Sequence, residues 1–249
     1  MAQAFRGARV VMLGEVHDNP AHHALQARIV ADLNPSALVF EMIEPAQARS
    51  ISPDMRSDAN ALGDALEWEA RGWPDFDMYH TIFTAAPDAD IFGGALPRET
   101  VRAAVSDGAA QVFGAASSLF GLDDPLDTDE QSTREALQQT AHCNALPENL
   151  LPGMVDAQRL RDAALAQAVV NALQQGTPGP IVVIAGNGHV REDWGIANAL
   201  RHYLEITGET AKIATLGQFE GAAPEAPSLT HWVVTEAIQR DEDPCDAFR

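Results

Sequence analysis

The chain has 249 residues and a mass of 26.7 kDa, with 16 Lys and Arg against 36 Asp and Glu, a formal charge of −20. At 46% hydrophobic residues it has material for a packed core, which excludes a disordered polymer, and one α/β domain of this length is ordinary. The charge argues against a partner that is mainly nucleic acid or anionic membrane, since both need a basic face, and it repels anionic ligands unless local arginines intervene.

In chain order, the strand candidates are Val10–Leu13, Ala37–Phe40, Asp90–Gly93, Ile181–Ala185, Lys212–Leu216 and Trp232–Thr235. The first, second and fourth are nearly continuous apolar runs, as expected of strands covered on both faces. Asn19 then Pro20 read as a helix N-cap and first helical residue, opening a helix that Asn34-Pro35 stops. Further helices are predicted at Pro45–Arg71, Pro97–Ser106, Thr128–Ala141, Val155–Gln175 and Asp193–Thr207. The weakly periodic stretch 107–129 reads as a loop or mobile insertion, and Gly221–Pro227 as a linker. The alternation predicts one α/β domain over 1–249, with a mostly parallel sheet flanked by helices and a helical insertion around residues 107–175.

Two cysteines, Cys143 and Cys245, cannot form a disulfide framework, and a single bridge between them is an open alternative. No run approaches the roughly 18 apolar residues of a membrane span. With no signal peptide before the first strand, the sequence as given predicts a soluble, cytoplasmic protein. A chain trimmed at its N-terminus would instead be periplasmic or membrane-anchored.

Ligands of parallel α/β sheets bind beyond the carboxyl ends of the strands. Four strands here end in polar or glycine-rich residues: Glu15 and His17 after the first, Glu41 after the second, Gly93-Gly94 after the third, and Gly186-Asn187-Gly188-His189 after the fourth. The first and fourth strands are echoes, each a buried run followed by Gly-x-x-His. Histidine offers a neutral nitrogen to a metal or a proton, and a carboxylate ending Leu38-Val39-Phe40 is costly unless paired or metal-bound. His17, Glu41 and His189 are therefore candidate ligands of a divalent metal, and with Glu15 a candidate acid–base site. A satisfied polar core is the structural alternative for each.

His22 and His23 follow Pro20, and since adjacent helical residues lie about 100° apart, only one is expected to face the strand ends. Trp68, Trp73, Phe76, Tyr79 and Phe83 crowd one window, which either packs a helix–loop corner or sandwiches a flat apolar ligand with Tyr79 or His80 as polar handle. Arg98 stands near a helix N-terminus, where it suits an anionic group. Gln158, Arg159, Arg161 and Asp162 read mostly as a solvated helix face. Gly-x-Ser-x-Gly, GxGxxG and Walker A loops are absent from the sequence, so serine hydrolases, dinucleotide enzymes and P-loop NTPases lose support.

The segments Gly14-Glu15-Val16-His17-Asp18-Asn19, His22-His23, Phe40-Glu41, Gly72-Trp73-Pro74, Tyr79, Leu96-Pro97-Arg98 and Gly186-Asn187-Gly188-His189-Val190-Arg191 together resemble the ChaN family. Its members are described as haem-binding, iron-regulated bacterial proteins. More distantly the chain resembles the Tiki and TraB proteases and the erythromycin esterases, which share the two Gly-x-x-His motifs. The resemblance spans about Val10 to Arg191. It implies a homodimer enclosing haem, with tyrosine as iron ligand and histidine and lysine near the propionates. Of the two tyrosines, Tyr79 matches better than Tyr203, with His22, His23 and His80 nearby. The one lysine, Lys212, lies far from the motifs, so Arg98 or Arg102 would stand in for it. Three functions follow: a haem or tetrapyrrole binder in iron acquisition, a metal-dependent or acid–base hydrolase using Glu15, His17, Glu41 and His189, and a binding module that kept the site without catalysis.

Overall fold

The computed structural model describes residues 2–241, 243, 245 and 246. Six strands, β1 (Val10–Glu15), β2 (Ala37–Phe40), β3 (Asp90–Gly93), β4 (Ile181–Gly186), β5 (Ile213–Glu220) and β6 (His231–Thr235), form one sheet in the order β3-β2-β4-β1-β5-β6. Every pairing is parallel. Along β1, Val10 and Met12 enter one core and Val11 and Leu13 the other, because successive side chains leave a strand on opposite faces. All four are fully buried, which is why the run lacks polar alternation.

Helices α1 (Pro20–Leu33), α2 (Pro45–Ser50), α3 (Ala59–Ala65) and α4 (Phe76–Ala85) contribute to the core on one face. On the other face lie α5 (Arg98–Asp107), α6 (Ala109–Phe113), α8 (Leu151–Gln174) and α9 (Ile196–Thr207). The bounds of α1 follow local chemistry. Asn19 accepts a hydrogen bond from the Ala21 N–H at 2.9 Å, Pro20 opens the helix, and Asn34 ends it in the left-handed region at φ 45°.

The single helix expected at Pro45–Arg71 is instead two short helices with a 3-10 turn, Pro53–Ser57, between them. Pro53 has no N–H to continue the first, and Asp58 recaps the second through the Ala61 N–H at 3.1 Å. Helix α4 occupies a window given no helix from sequence. The segment 107–175 is helical and forms most of the β3–β4 crossover, its long α8 lying against the sheet. The stretch 107–129 is itself ordered, with α6 and a 3-10 turn at Ser117–Phe120. Helix α7 (Thr128–Ala141) adds no apolar residue to either core and rests on α8.

Cys143, just past α7, is bridged to Cys245, with the Cα atoms 5.6 Å apart. The sequence left that pairing open. Among the described residues no helix is long and apolar enough to cross a membrane.

Candidate functional site at the strand carboxyl ends

Because β2, β4 and β1 are neighbours, their carboxyl ends bring Glu41, His189, Glu15 and His17 together. Glu15 is fully buried and engaged on both oxygens. Oε1 accepts from the Tyr79 hydroxyl at 2.5 Å and lies 2.8 Å from His17 Nδ1, while Oε2 accepts from Gln26 Nε2 at 2.8 Å. Burial would lower the His17 pKa, but the Glu15 hydrogen bond and the Glu41 charge outweigh it and raise it. The side chain of His17 is 33% exposed, and its ring meets Trp73 edge-on at 5.2 Å.

Glu41 is the hub of the second half. Oε1 accepts from Arg161 Nη2 at 2.5 Å and lies 3.2 Å from His189 Nε2; Oε2 accepts from the Gly186 N–H at 2.7 Å. A Cβ at Gly186 would lie 2.9 Å from His17 Nε2, so a larger residue there would displace the His17 ring. His189 Nδ1 lies 2.6 Å from Asp162 Oδ1, so a buried imidazole sits between two carboxylates. Its burial favours the neutral form, yet Glu41 and Asp162 together raise its pKa to about 9. Glu41 is pushed the other way. Burial favours its neutral form, but His189, Arg161 and His17 hold it well below the usual carboxylate range. Burial raises the Asp162 pKa, and its Oδ2 has no hydrogen-bond partner among the described residues.

The expected divalent-metal site finds no support in this arrangement. Among the described residues, no group of three or more His, Cys, Asp or Glu side chains could hold a metal ion. The physical reason is that the histidines converge on a carboxylate and not on a common point. His189 Nε2 addresses one oxygen of Glu41, and His17 Nε2 lies 3.9 Å from the other. His189 has both ring nitrogens directed at carboxylates, Nε2 at Glu41 and Nδ1 at Asp162.

The expected haem-contacting residues divide. Tyr79 is fully buried; its hydroxyl donates to Glu15, and burial followed by the Glu15 charge drives its pKa far above the usual phenol value. Its hydroxyl is therefore spent on Glu15 inside the fold. Tyr203 is buried on α9, accepting from Gln174 at 3.3 Å. Both His22 and His23 are buried, contrary to the one-face argument, because β5 and β6 cover His22 while α4 covers His23. His22 Nδ1 accepts from the Val16 N–H and Nε2 faces Thr235 Oγ1, and burial lowers its pKa. His23 Nε2 reaches the His17 carbonyl oxygen at 2.8 Å, and its ring packs on Tyr79. These two histidines brace the β1–α1 turn. His80 lies one residue from Tyr79 but faces the Arg56 carbonyl at 2.9 Å, away from the strand ends. The aromatic window is mostly core, with Trp68 4.7 Å from Tyr79 and Phe83 stacked on Phe40 at 4.5 Å.

Two clefts open above the cluster. One, of about 560 Å³, runs between Trp73, Leu96, Val101 and Leu165, with Glu41 in its lining and Arg71, Arg98, Arg102 and Arg161 around it. The other, of about 520 Å³, lies toward Trp194, Arg134 and Arg191, and shares Val101, Met154, Ala157 and Arg161 with the first. Arg98, singled out from sequence, thus lines a cleft and donates to the Arg71 carbonyl at 2.8 Å. Arg161 and Asp162 on α8, expected from sequence on a solvated face, are instead central. Their signal was Asp162 itself, a carboxylate in an alanine-rich stretch, seven residues after Val155 and four before Ala166, both buried.

Residues 1–200 match the family model described as haem-binding uptake, Tiki superfamily, ChaN. No curated protein matches the sequence. Among solved structures, one described as cofacial heme binding to ChaN of Campylobacter jejuni is similar in fold, with 20% identity and a TM-score of 0.65. That likeness covers 92% of this chain and 88% of that one. The type III effector HopBA1 is also similar, at 13% identity and a TM-score of 0.51, over 92% of this chain and 88% of that one. The erythromycin esterase mutant EreC in its open conformation matches at 13% identity and a TM-score of 0.46, over 92% of this chain and 76% of that one.

Proposed function

The chain belongs to the haem-binding uptake family of the Tiki superfamily that includes ChaN, and from that premise we propose that it binds haem in the cleft beside Trp73 and serves iron acquisition. The observation that carries this reading is the segregation of charge. In a protein of −20, the lining of this cleft holds four arginines and one carboxylate, Glu41, which Arg161 and His189 already satisfy. Apolar walls with a few convergent cations suit a flat hydrophobic ligand that carries carboxylates, and 560 Å³ lies within the roughly 300–1,000 Å³ of ordinary ligand pockets. Trp73 and Leu96 offer apolar surface to a ring face; Arg98 and Arg102 offer guanidinium groups to its acids.

A homodimer is part of the proposal, to be tested by sedimentation with and without haemin. The Cys143–Cys245 bridge supports residence in an oxidising compartment, which would replace the cytoplasmic expectation with a periplasmic or membrane-anchored one. The hydrolase reading is not favoured, since His189 is committed on both nitrogens.

Titration with haemin, followed by tryptophan quenching and the visible spectrum, tests the assignment. Wild type should bind saturably. An Arg98→Gln, Arg102→Gln double variant should bind about tenfold or more weakly, as expected when charge-assisted contacts are lost. Absence of haemin binding, or an unchanged affinity in the double variant, would refute it.

A further inference from the structure

The cleft carries a rim suited to carboxylates and no side chain suited to ferric iron. Its lining contains no tyrosine, histidine or cysteine. Glu41 is bonded to Arg161, the Gly186 N–H and His189. The remaining donors are the thioethers of Met42, which is buried, and Met154; both are soft ligands, poorly matched to ferric iron alone. Neither tyrosine can replace them, because each hydroxyl is held inside the fold. Among the nearby histidines, His22, His23 and His189 have both ring nitrogens engaged, His17 holds Nδ1 against Glu15 with Nε2 3.9 Å from Glu41, and none of the four lines this cleft. His142 lines the neighbouring cleft, with Nδ1 2.8 Å from the Gln138 carbonyl oxygen.

The positive charge is better matched. Arg71 pairs with Glu44 at 2.8 Å and Arg161 with Glu41, whereas Arg98 has no ion pair and Arg102 neither an ion pair nor a hydrogen bond among the described residues. Four guanidinium groups against two carboxylates leave a local excess of two positive charges, the complement of a ligand with two carboxylates. Arg98 and Arg102 are one helical turn apart on α5, so they lie on one side of that helix.

We propose that the cleft recognises a dicarboxylate tetrapyrrole through its acids and its flat faces, with no side chain bonded to the central metal, so that iron-free porphyrins are ligands as good as haemin. This rests on the haem-binding reading above and narrows it to a ligand class.

The test compares haemin with iron-free protoporphyrin by tryptophan quenching in the full chain. Dissociation constants should agree within about threefold, and the Arg98→Gln, Arg102→Gln variant should weaken both by the same factor. The visible spectrum of the haemin complex should be unchanged in Tyr79→Phe, Met154→Leu and His142→Ala. Haemin binding more than about tenfold tighter than the iron-free ring, or a spectrum altered by any of those three substitutions, overturns the inference while leaving haem binding intact. Failure of both porphyrins to bind overturns the haem-binding reading, and this one with it.

Discussion

His189 sits between Glu41 and Asp162, and that placement sets a pH dependence of stability. Its pKa in the folded chain is raised to about 9, against about 6.5 for an exposed histidine. The stabilisation is therefore complete below about pH 6.5 and is lost as the pH rises through about 9, at no more than about 1.4 kcal/mol per pH unit. His17 is shifted in the same direction and adds to the effect. Urea unfolding at pH 6, 7.5 and 9 should show a falling free energy, and Asp162→Asn, which removes one carboxylate, should move the fall to lower pH. A flat profile across this range would contradict the arrangement. His17, Glu41 and His189 were legible as a cluster because each follows a strand that reads as buried. Their mutual neutralisation was not legible, since it depends on Arg161 and Asp162, which arrive from a helix more than a hundred residues beyond Glu41 in the chain. The burial of Tyr79 is equally hidden in the sequence, because the Gly and Pro before α4 mask the helix that turns this face toward Glu15.

At the scale of elements, the strands were the easy part. A parallel sheet covered on both faces writes itself as apolar runs, and each of the six runs became a strand within a few residues of its expected ends. Helices were legible where a cap was present, as at Asn19, and were lost where Gly and Pro crowd an aromatic window. Helix α7 shows how an element can be placed with little core of its own. Arg134 is its one buried residue, pairing with Glu130 and lying 4.9 Å from the Trp194 ring, and its far end is tied through Cys143 to Cys245. The bridge fixes the segment after β6, which Arg240 also anchors by ion pairs to Asp18 and Glu220 at 2.7 and 2.9 Å. Reduction should therefore release this segment and the end of α7 to limited proteolysis, while amides of β1, β2 and β4 keep their hydrogen-exchange protection. Loss of protection in those strands on reduction would show that the bridge supports the core itself.

The whole molecule presents two opposed fields to an anionic ligand: a net charge of −20 at long range and an arginine-lined cleft at contact. Salt acts on them differently. The Debye length falls from about 30 Å at 0.01 M to about 8 Å at 0.15 M, so the distant repulsion is screened first. Stopped-flow measurements should find that haemin associates faster as salt is raised across that range, the reverse of electrostatic steering. An association rate that falls with salt would mean that the local arginines dominate even at a distance. Composition alone gave the overall sign of the field. It could not show the exception, because Arg71, Arg98, Arg102 and Arg161 are scattered over ninety residues and meet only where α5 packs on α8 and Arg98 bonds the Arg71 carbonyl.

The order of strands also governs how the molecule comes into being. β1 and β2 never touch; β4 lies between them and pairs with both, Ile181 meeting Val10 on one side and Ala37 on the other. A nascent chain thus carries two apolar strands whose shared neighbour has not yet been made. At about 5–20 residues per second, that wait lasts on the order of ten seconds. Throughout it, the inner edges of β1 and β2 offer open hydrogen-bonding rows to any other chain nearby. The central seam of the sheet is closed by late arrivals, so the ribosome releases most of this protein before its hydrophobic centre can exist.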